Sequence, residues 1–449
     1  MSRVVIFSAS VGAGHDSAAQ ALADRLTARG FAVDRHDFLA LMPAGRAVCG
    51  SYRRIITHAP ALYQCIYSRT ERAARPGLVQ RHLLRGAEQA VLDAIPPDAV
   101  AAVATYPLAA QVLGRLRASG RLAVPVVVTF TDFSVHPLWI APGVDLYLAP
   151  HAVTAAQAVA HGVAPSRVAV ARPLVSARFT ARTAARRQAA RARFGLDTAD
   201  KPLALLLGGS WGVGDIERTA RDLAASGVVT PVVVCGRNEV LRGRLRAAGF
   251  PHVFGWVGDM PTLMAAADVM VQNAGASSTL EAFATGLPVA TYRSLVGHGR
   301  TNAAVLDEAG LAVWVRSEGE LAGALRELAS GVRGRRQHNA GLAMVGDGAE
   351  ADAVIMELLG GGGRVAGAGA SAGVGSVGPA GLAGSVGPAG LAGSVGSAGP
   401  AGLAGSVGPA GLAGSVGSAG PAGLAGSVGS AGPAGLAGSA VGSAAAAAV

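Results

Sequence analysis

The feature that most constrains this chain is a repeated alternation of short apolar runs with helix-like stretches. Val4–Ser8, Ala32–Asp34, Val100–Thr105, Val124–Phe130 and Leu146–Ala149 are separated by alanine-rich segments of helical pattern, the first near Asp16–Ala28. A second series starts at Leu203–Leu207 and runs through Val232–Val234, Val253–Phe254, Val269–Val271, Val289–Ala290 and Ala312–Val315. Runs that are apolar throughout suit strands buried on both faces, and strand–helix alternation favours parallel pairing. Two such series predict an α/β protein with two doubly wound sheets, whose strand ends bring loops to one crevice. The expected organisation is a first domain over 1–172, an arginine-rich connector over 173–200, a second domain over 201–360 and a tail over 361–449.

The tail cannot belong to a core. Every Asp, Glu, Lys and Arg lies before residue 365, and glycine then recurs at each third position from Gly375 to Gly438. Strict Gly-X-Y is the collagen register, but proline fills only six X positions and no Y position. A flexible, disordered low-complexity repeat is the expectation. The remaining stretch of about 360 residues has the size of two domains sharing a cleft.

Hydrophobic content of 51% is inflated by alanine, and no run approaches the ~20 apolar residues that span a bilayer. The chain enters a strand at Val4 without an export signal, and Cys49, Cys65 and Cys235 show neither metal spacing nor a disulfide framework, so a reducing cytoplasm is expected. The net charge of +10 is nearly all arginine. Between Arg46 and Arg85 eight arginines face a single acid, Glu71, with Tyr52, Ile55, Ile56, Leu62, Tyr63, Ile66 and Tyr67 interleaved. Such a segment suits an anionic membrane surface, with arginines on headgroups and aromatics at the interface. The alternative is an amphipathic helix packed on its own domain. No nucleic-acid motif accompanies the patch, and no nucleic-acid partner is expected.

Chemistry concentrates in the loops after the apolar runs. Residues 271–288 pass from a run into Asn273-Ala274-Gly275, then open a helix at Ser277-Ser278-Thr279 that carries Glu281. Small residues let a phosphate approach the backbone, and a helix start offers unpaired N–H groups and a positive dipole end. A carboxylate one turn inside can accept hydrogen bonds from the vicinal hydroxyls of a ribose. Gly208-Gly209-Ser210-Trp211-Gly212 suits a diphosphate by the same close-approach argument, Arg237 can neutralise phosphate or line a base pocket, and Trp256 and Met260 follow the next run.

In the first half, Gly12-Ala13-Gly14-His15-Asp16-Ser17 joins strand to helix, with Asp16 or Ser17 as possible caps. Read as a dinucleotide fingerprint the loop is weak, and no Gly-Lys-Ser/Thr follows for a P-loop. His15 remains unexplained by either reading. An imidazole at a strand tip can take a proton from an attacking hydroxyl. Asp132, in the loop Thr129–Trp139 that also carries His136, can orient His15 or act as the base itself.

Taken in order, these residues resemble the monogalactosyldiacylglycerol synthases and processive diacylglycerol glucosyltransferases, relatives of the lipid II-forming N-acetylglucosaminyltransferase. The resemblance covers about residues 1–315 and rests on Gly12–His15, Thr131–Trp139, Arg172–Val175, Val234–Asn238, Gly255–Met260 and Asn273–Pro288. It implies a GT-B fold, two Rossmann-like domains facing across a cleft, and an inverting transfer of a hexosyl group from a UDP-sugar. The implied acceptor is a membrane lipid hydroxyl such as that of diacylglycerol, and the implied location is peripheral, on the inner face of the cell membrane. UDP-sugar is then a substrate, and neither a cofactor nor a metal is expected. His15 and Asp132 are the implied catalytic pair. Gly209, Ser210, Arg237, Trp256, Met260, Asn273, Gly275, Ser277, Ser278, Thr279, Glu281 and Asn302 are the implied donor-binding set. One departure stands out: where this family places Gly-Gln-Glu the chain reads Gly297-His298-Gly299, although Asn302 is retained.

Overall fold

A computed structural model describes residues 1–73, 77–196, 201–273 and 275–360, without the side chains of 78–81. The Gly-X-Y repeat, expected to be a flexible tail, lies outside the described residues. Among the described residues twelve strands form two sheets, all pairings parallel. The first contains β1 (Arg3–Ser8), β2 (Ala32–Asp37), β3 (Ala99–Ala104), β4 (Val126–Thr129), β5 (Leu146–Ala149) and β6 (Val168–Val170), in the order β2-β1-β3-β4-β5-β6. The second contains β7 (Leu203–Leu207), β8 (Thr230–Val234), β9 (His252–Phe254), β10 (Val269–Gln272), β11 (Val289–Tyr292) and β12 (Val313–Val315), in the order β12-β11-β10-β7-β8-β9.

Each sheet has helices on both faces, which is why its inner strands are mostly apolar, whereas the edge strand β2 carries Asp34, Arg35, His36 and Asp37. Along β1, Val5 and Phe7 enter one core and Val4 and Ile6 the other; along β7, Leu203, Leu205 and Leu207 divide in the same way from Ala204 and Leu206. Burying a Val or Leu side chain contributes about 1.5–3 kcal/mol.

The strand orders fix where ligands can enter. In the first sheet the chain leaves β1 towards β2 on one side and β3 lies on the other, so the loops after β1 and β3 diverge and open a crevice. In the second sheet the same reversal falls between β7 and β10. Both are topological switch points, where doubly wound sheets bind ligands.

The connector is held both by apolar packing, with Val175, Ala190 and Leu196 in the core of the second sheet, and by charge. Arg187 and Arg191 pair with Asp268, and Arg178 and Arg193 pair with Asp259. The last helix, Ala351–Gly360, departs from the expected organisation. Ala351, Val354 and Ile355 pack with Val4, Ile6 and Leu22 of the first sheet's core, not with the second. Glu350 pairs with Arg25 and Arg172, and Asp352 with Arg29, fastening this helix to the first lobe. No helix among the described residues is long and apolar enough to cross a membrane.

Candidate functional site

A cavity of about 400 Å³ lies between the two switch points and takes lining residues from both lobes. On the second-lobe wall the loop after β7 (Gly208–Ser210) meets the loop after β10 (Asn273, Gly275), and the Asn273 amide donates to the Val213 carbonyl at 2.7 Å to join them. The helix Ala276–Thr285 follows with Gly275 as its N-cap and no capping side chain, so its first N–H groups stay unbonded within the helix. Ser277, Ser278 and Glu281 line the cavity.

From the other side comes the helix Gly14–Ala28, also without a side-chain cap. Asp16 does not cap it: Ser8 Oγ donates to Asp16 Oδ1 at 2.6 Å, holding that carboxylate against the end of β1. Ser17 does not cap it either. Gly14 packs so closely on Ser277 that an added Cβ would lie 2.6 Å from Ser277 Oγ. Two helix N-termini therefore converge on one space, a strongly anion-attracting arrangement.

Glu281 forms no hydrogen bond or ion pair among the described residues, and burial pushes its carboxyl up to about 7. A carboxylate in such a place is suited to hydroxyl donors, which would stabilise its ionised form. Trp256 borders the cavity, half exposed, and the Arg237 guanidinium stacks 4.4 Å from its ring centroid. Met260 also lines the wall.

The first-lobe wall is different in kind. His15 Nδ1 lies 2.6 Å from the Thr105 carbonyl at the end of β3 and 3.0 Å from Thr131 Oγ1. A carbonyl accepts only, so Nδ1 carries the proton and Nε2 holds a lone pair. Burial lowers the His15 pKa and keeps the ring neutral, against the opposing pull of Asp132. Around it stand Trp139, Tyr106, Tyr52, Tyr63 and Tyr67. His136 is pushed down to about 4 by burial, accepts from Leu138 N and contacts Thr70 Oγ1 at 3.2 Å.

Several expected roles change. Asp132 does not orient His15; the Thr105 carbonyl does, and Asp132 Oδ1 instead accepts from Asn302 Nδ2 at 2.9 Å. Asn302 is 2% exposed beneath the 131–134 loop and does not reach the donor side of the cavity. Thr279 is fully buried, its hydroxyl given to the Gly275 carbonyl at 2.8 Å. Arg237 sits at the rim on Trp256 rather than in the wall. The remaining expected donor residues, Gly209, Ser210, Trp256, Met260, Asn273, Gly275, Ser277, Ser278 and Glu281, share the cavity.

The basic segment is the largest correction. Tyr52, Ile55 and Ile56 on the helix Gly45–His58, and Tyr63 and Tyr67 on the helix Pro60–Arg72, are buried in the first lobe, so they form no membrane-facing surface. Leu62, 45% exposed, and Arg46, Arg53, Arg54, Arg69, Arg72 and Arg85 remain outside.

His298, a departure from the family pattern, lines the cavity. It begins the helix His298–Glu308; its Nδ1 is 2.9 Å from Tyr63 OH, and burial lowers its pKa. Gly297 before it has φ +70°, and an added Cβ would meet the Tyr63 and Tyr67 rings at 2.8–2.9 Å. Gln64 Oε1 accepts from Gly297 N at 2.8 Å, and Tyr67 OH meets Thr301 Oγ1 at 3.2 Å. The first turn of this second-lobe helix is thus gripped by a first-lobe helix.

Comparison with known proteins agrees with this architecture. Residues 15–171 match the family model for monogalactosyldiacylglycerol (MGDG) synthase. A processive diacylglycerol beta-glucosyltransferase of Bacillus mycoides (strain KBAB4) is 24% identical over 288 residues, covering 60% of this chain and 70% of its own. The chloroplastic monogalactosyldiacylglycerol synthase of Spinacia oleracea is 29% identical over 347 residues, covering 71% and 65%. The chain is similar to this family over these residues. It spans 65% of the spinach protein's length and 70% of the Bacillus protein's. Among solved structures, the spinosyn rhamnosyltransferase SpnG complexed with thymidine diphosphate superposes with a TM-score of 0.53 at 15% identity, over 80% of this chain and 100% of that one. A Medicago truncatula protein complexed with UDP-glucose gives 0.51 at 12% identity, over 80% and 98%. The fold is GT-B, and the family is one of glycosyltransferases.

Proposed function

We propose that this glycosyltransferase moves a hexosyl group from a UDP-sugar to a hydroxyl of a membrane lipid of the diacylglycerol class. The observation that carries the proposal is the division of one cavity between two converging helix N-termini beside Glu281 and a neutral, tautomer-fixed His15 set among aromatic rings. The names of the relatives supply the sugar and acceptor classes.

In this reaction the diphosphate lies against the N-termini at Gly14 and Ser277, the ribose hydroxyls donate to Glu281, and the base rests on Trp256. The acceptor hydroxyl attacks the anomeric carbon, the bond from that carbon to the diphosphate oxygen breaks, and the hydroxyl proton passes to His15 Nε2. UDP leaves with the bonding pair, its added charge facing backbone N–H groups that need no reorganisation. Asp132 supports the imidazolium electrostatically as it forms. Tyr52, Ile56, Tyr63, Tyr67 and Trp139 give the acceptor side an apolar character suited to the glycerol end of a lipid.

Arg46, Arg53, Arg54, Arg69, Arg72 and Arg85 are exposed and form no ion pair among the described residues. Each is worth about 1 kcal/mol at an anionic lipid surface. Such an enzyme works peripherally at the inner face of the cell membrane. The test is UDP release from a panel of UDP-hexoses with vesicles containing diacylglycerol and an anionic lipid, together with vesicle flotation. Turnover that depends on diacylglycerol supports the proposal. UDP binding without turnover on any acceptor, or turnover only with soluble acceptors and no flotation, contradicts it.

A further inference from the structure

We infer that Asn302 is a positioning residue of the reaction, holding the Asp132 loop of the first lobe from the second lobe. The inference rests on the transferase reading above. Asn302 lies in the first turns of the helix His298–Glu308, 2% exposed, and spends its whole amide on one loop across the cleft. Its Oδ1 accepts from Phe133 N at 3.0 Å, Ser134 N at 2.9 Å and Ser134 Oγ at 3.1 Å, while its Nδ2 donates to Asp132 Oδ1 at 2.9 Å. Two backbone N–H donors on Oδ1 settle the orientation, since a flipped amide would set N–H against N–H. The neighbouring Thr301 hydroxyl completes the tie, reaching Ser134 Oγ at 2.9 Å and Tyr67 OH at 3.2 Å.

Asp132 gains no hydrogen bond from its own lobe among the described residues, and its charge acts on His15, His136 and His298 and on Tyr52, Tyr63 and Tyr67. The carboxylate that supports His15 is therefore set only when the second lobe's helix is against the loop. Closure of the cleft and assembly of the acceptor-side chemistry become one event. An amide is the only side chain of this size that can both accept from the loop backbone and donate to a carboxylate. Asp at this position could do the first and would repel in the second.

The experiment compares wild type, N302A, N302D and the double variant D132N/N302D by UDP calorimetry, UDP release with the accepted donor and lipid, the pH profile of kcat, and thermal unfolding. UDP affinity should stay near the wild-type value in N302A and N302D, while kcat falls by at least about tenfold from misplacement of the loop. The residual kcat of N302D should have its acid limb moved to higher pH, because two carboxylates in contact share a proton; a mere packing defect would not move it. The double variant restores the hydrogen bond with its polarity reversed, so its thermal stability should recover over N302D while kcat stays low. If N302D fails to fold, N302A and the double variant still decide the matter. Unchanged kcat in N302A, or UDP affinity lost in step with kcat, overturns the inference while leaving the transferase reading intact. Absence of turnover in wild type on every donor overturns both.

Discussion

The two walls of the cleft come from sheets of the same size and the same parallel logic, yet they are built from opposite materials. At its switch point the second-lobe wall presents backbone and small side chains, Gly208, Gly209, Ser210, Gly275, Ser277 and Ser278, with the carboxyl of Glu281 among them and the larger Trp211, Trp256 and Met260 beside them. The first-lobe wall gathers large rings around its polar groups: His15, Tyr52, Tyr63, Tyr67, Tyr106 and Trp139. Each material fits a task. Backbone N–H groups stabilise a polyanion at close range, and they are pre-aimed by the helices that carry them. Rings exclude water, which keeps an imidazole neutral and able to take a proton.

If the walls divide the work in this way, variants should separate binding from chemistry. H15A removes the proton acceptor and should lower kcat by about 10²–10⁴-fold; initial rates of UDP release measure it. A near wild-type rate would move the base to Asp132 or remove the division altogether. On the opposite wall, E281A loses charge-assisted hydrogen bonds worth about 1.5–3 kcal/mol, or about 10- to 150-fold in UDP affinity by calorimetry.

A smaller effect is expected from Y63F, which removes the contact with His298 at 2.9 Å but keeps the ring. A hydrogen bond of about 1 kcal/mol predicts a loss of about fivefold in kcat. A larger fall in donor affinity than in kcat would show that the two walls are not separable there. The mildest effect is one of pH. Glu281 sits near 7 in the folded protein, above its ordinary value, so folding favours its protonated form; that contribution is present at acid pH and lost as pH rises towards 7. Donor binding favours the ionised form, so affinity for a UDP-sugar should rise between about pH 6 and about pH 8, and E281Q should flatten the dependence. A wild-type affinity that falls over that range would contradict the role of Glu281.

The walls also differ in how far they could be read from sequence. The strands were legible because parallel, doubly covered strands leave continuous apolar runs, as in Leu203–Leu207. The second-lobe wall was legible because glycine and serine after such a run leave little else for the backbone to do. The first-lobe wall was not. Tyr63 and Tyr67 at i, i+4 describe an apolar helix face equally well whether it meets a membrane or a core, and the fold chose the core. The role of Asn302 is hidden for a related reason: its partner Asp132 lies 170 residues away, and periodicity carries no information over that distance. His298 could have been singled out only by the glycine before it, whose φ of +70° seats Tyr63 and Tyr67 against the second lobe.

The central claim is that one cavity holds a UDP-sugar on the second-lobe wall and activates an acceptor on the first. A crystal structure of the protein with UDP tests it most directly. The account predicts the diphosphate between the N-termini at Gly14 and Ser277, the ribose hydroxyls on Glu281, and His15 Nε2 open to the acceptor side. UDP seated elsewhere, or lying across His15 with Glu281 untouched, would contradict it.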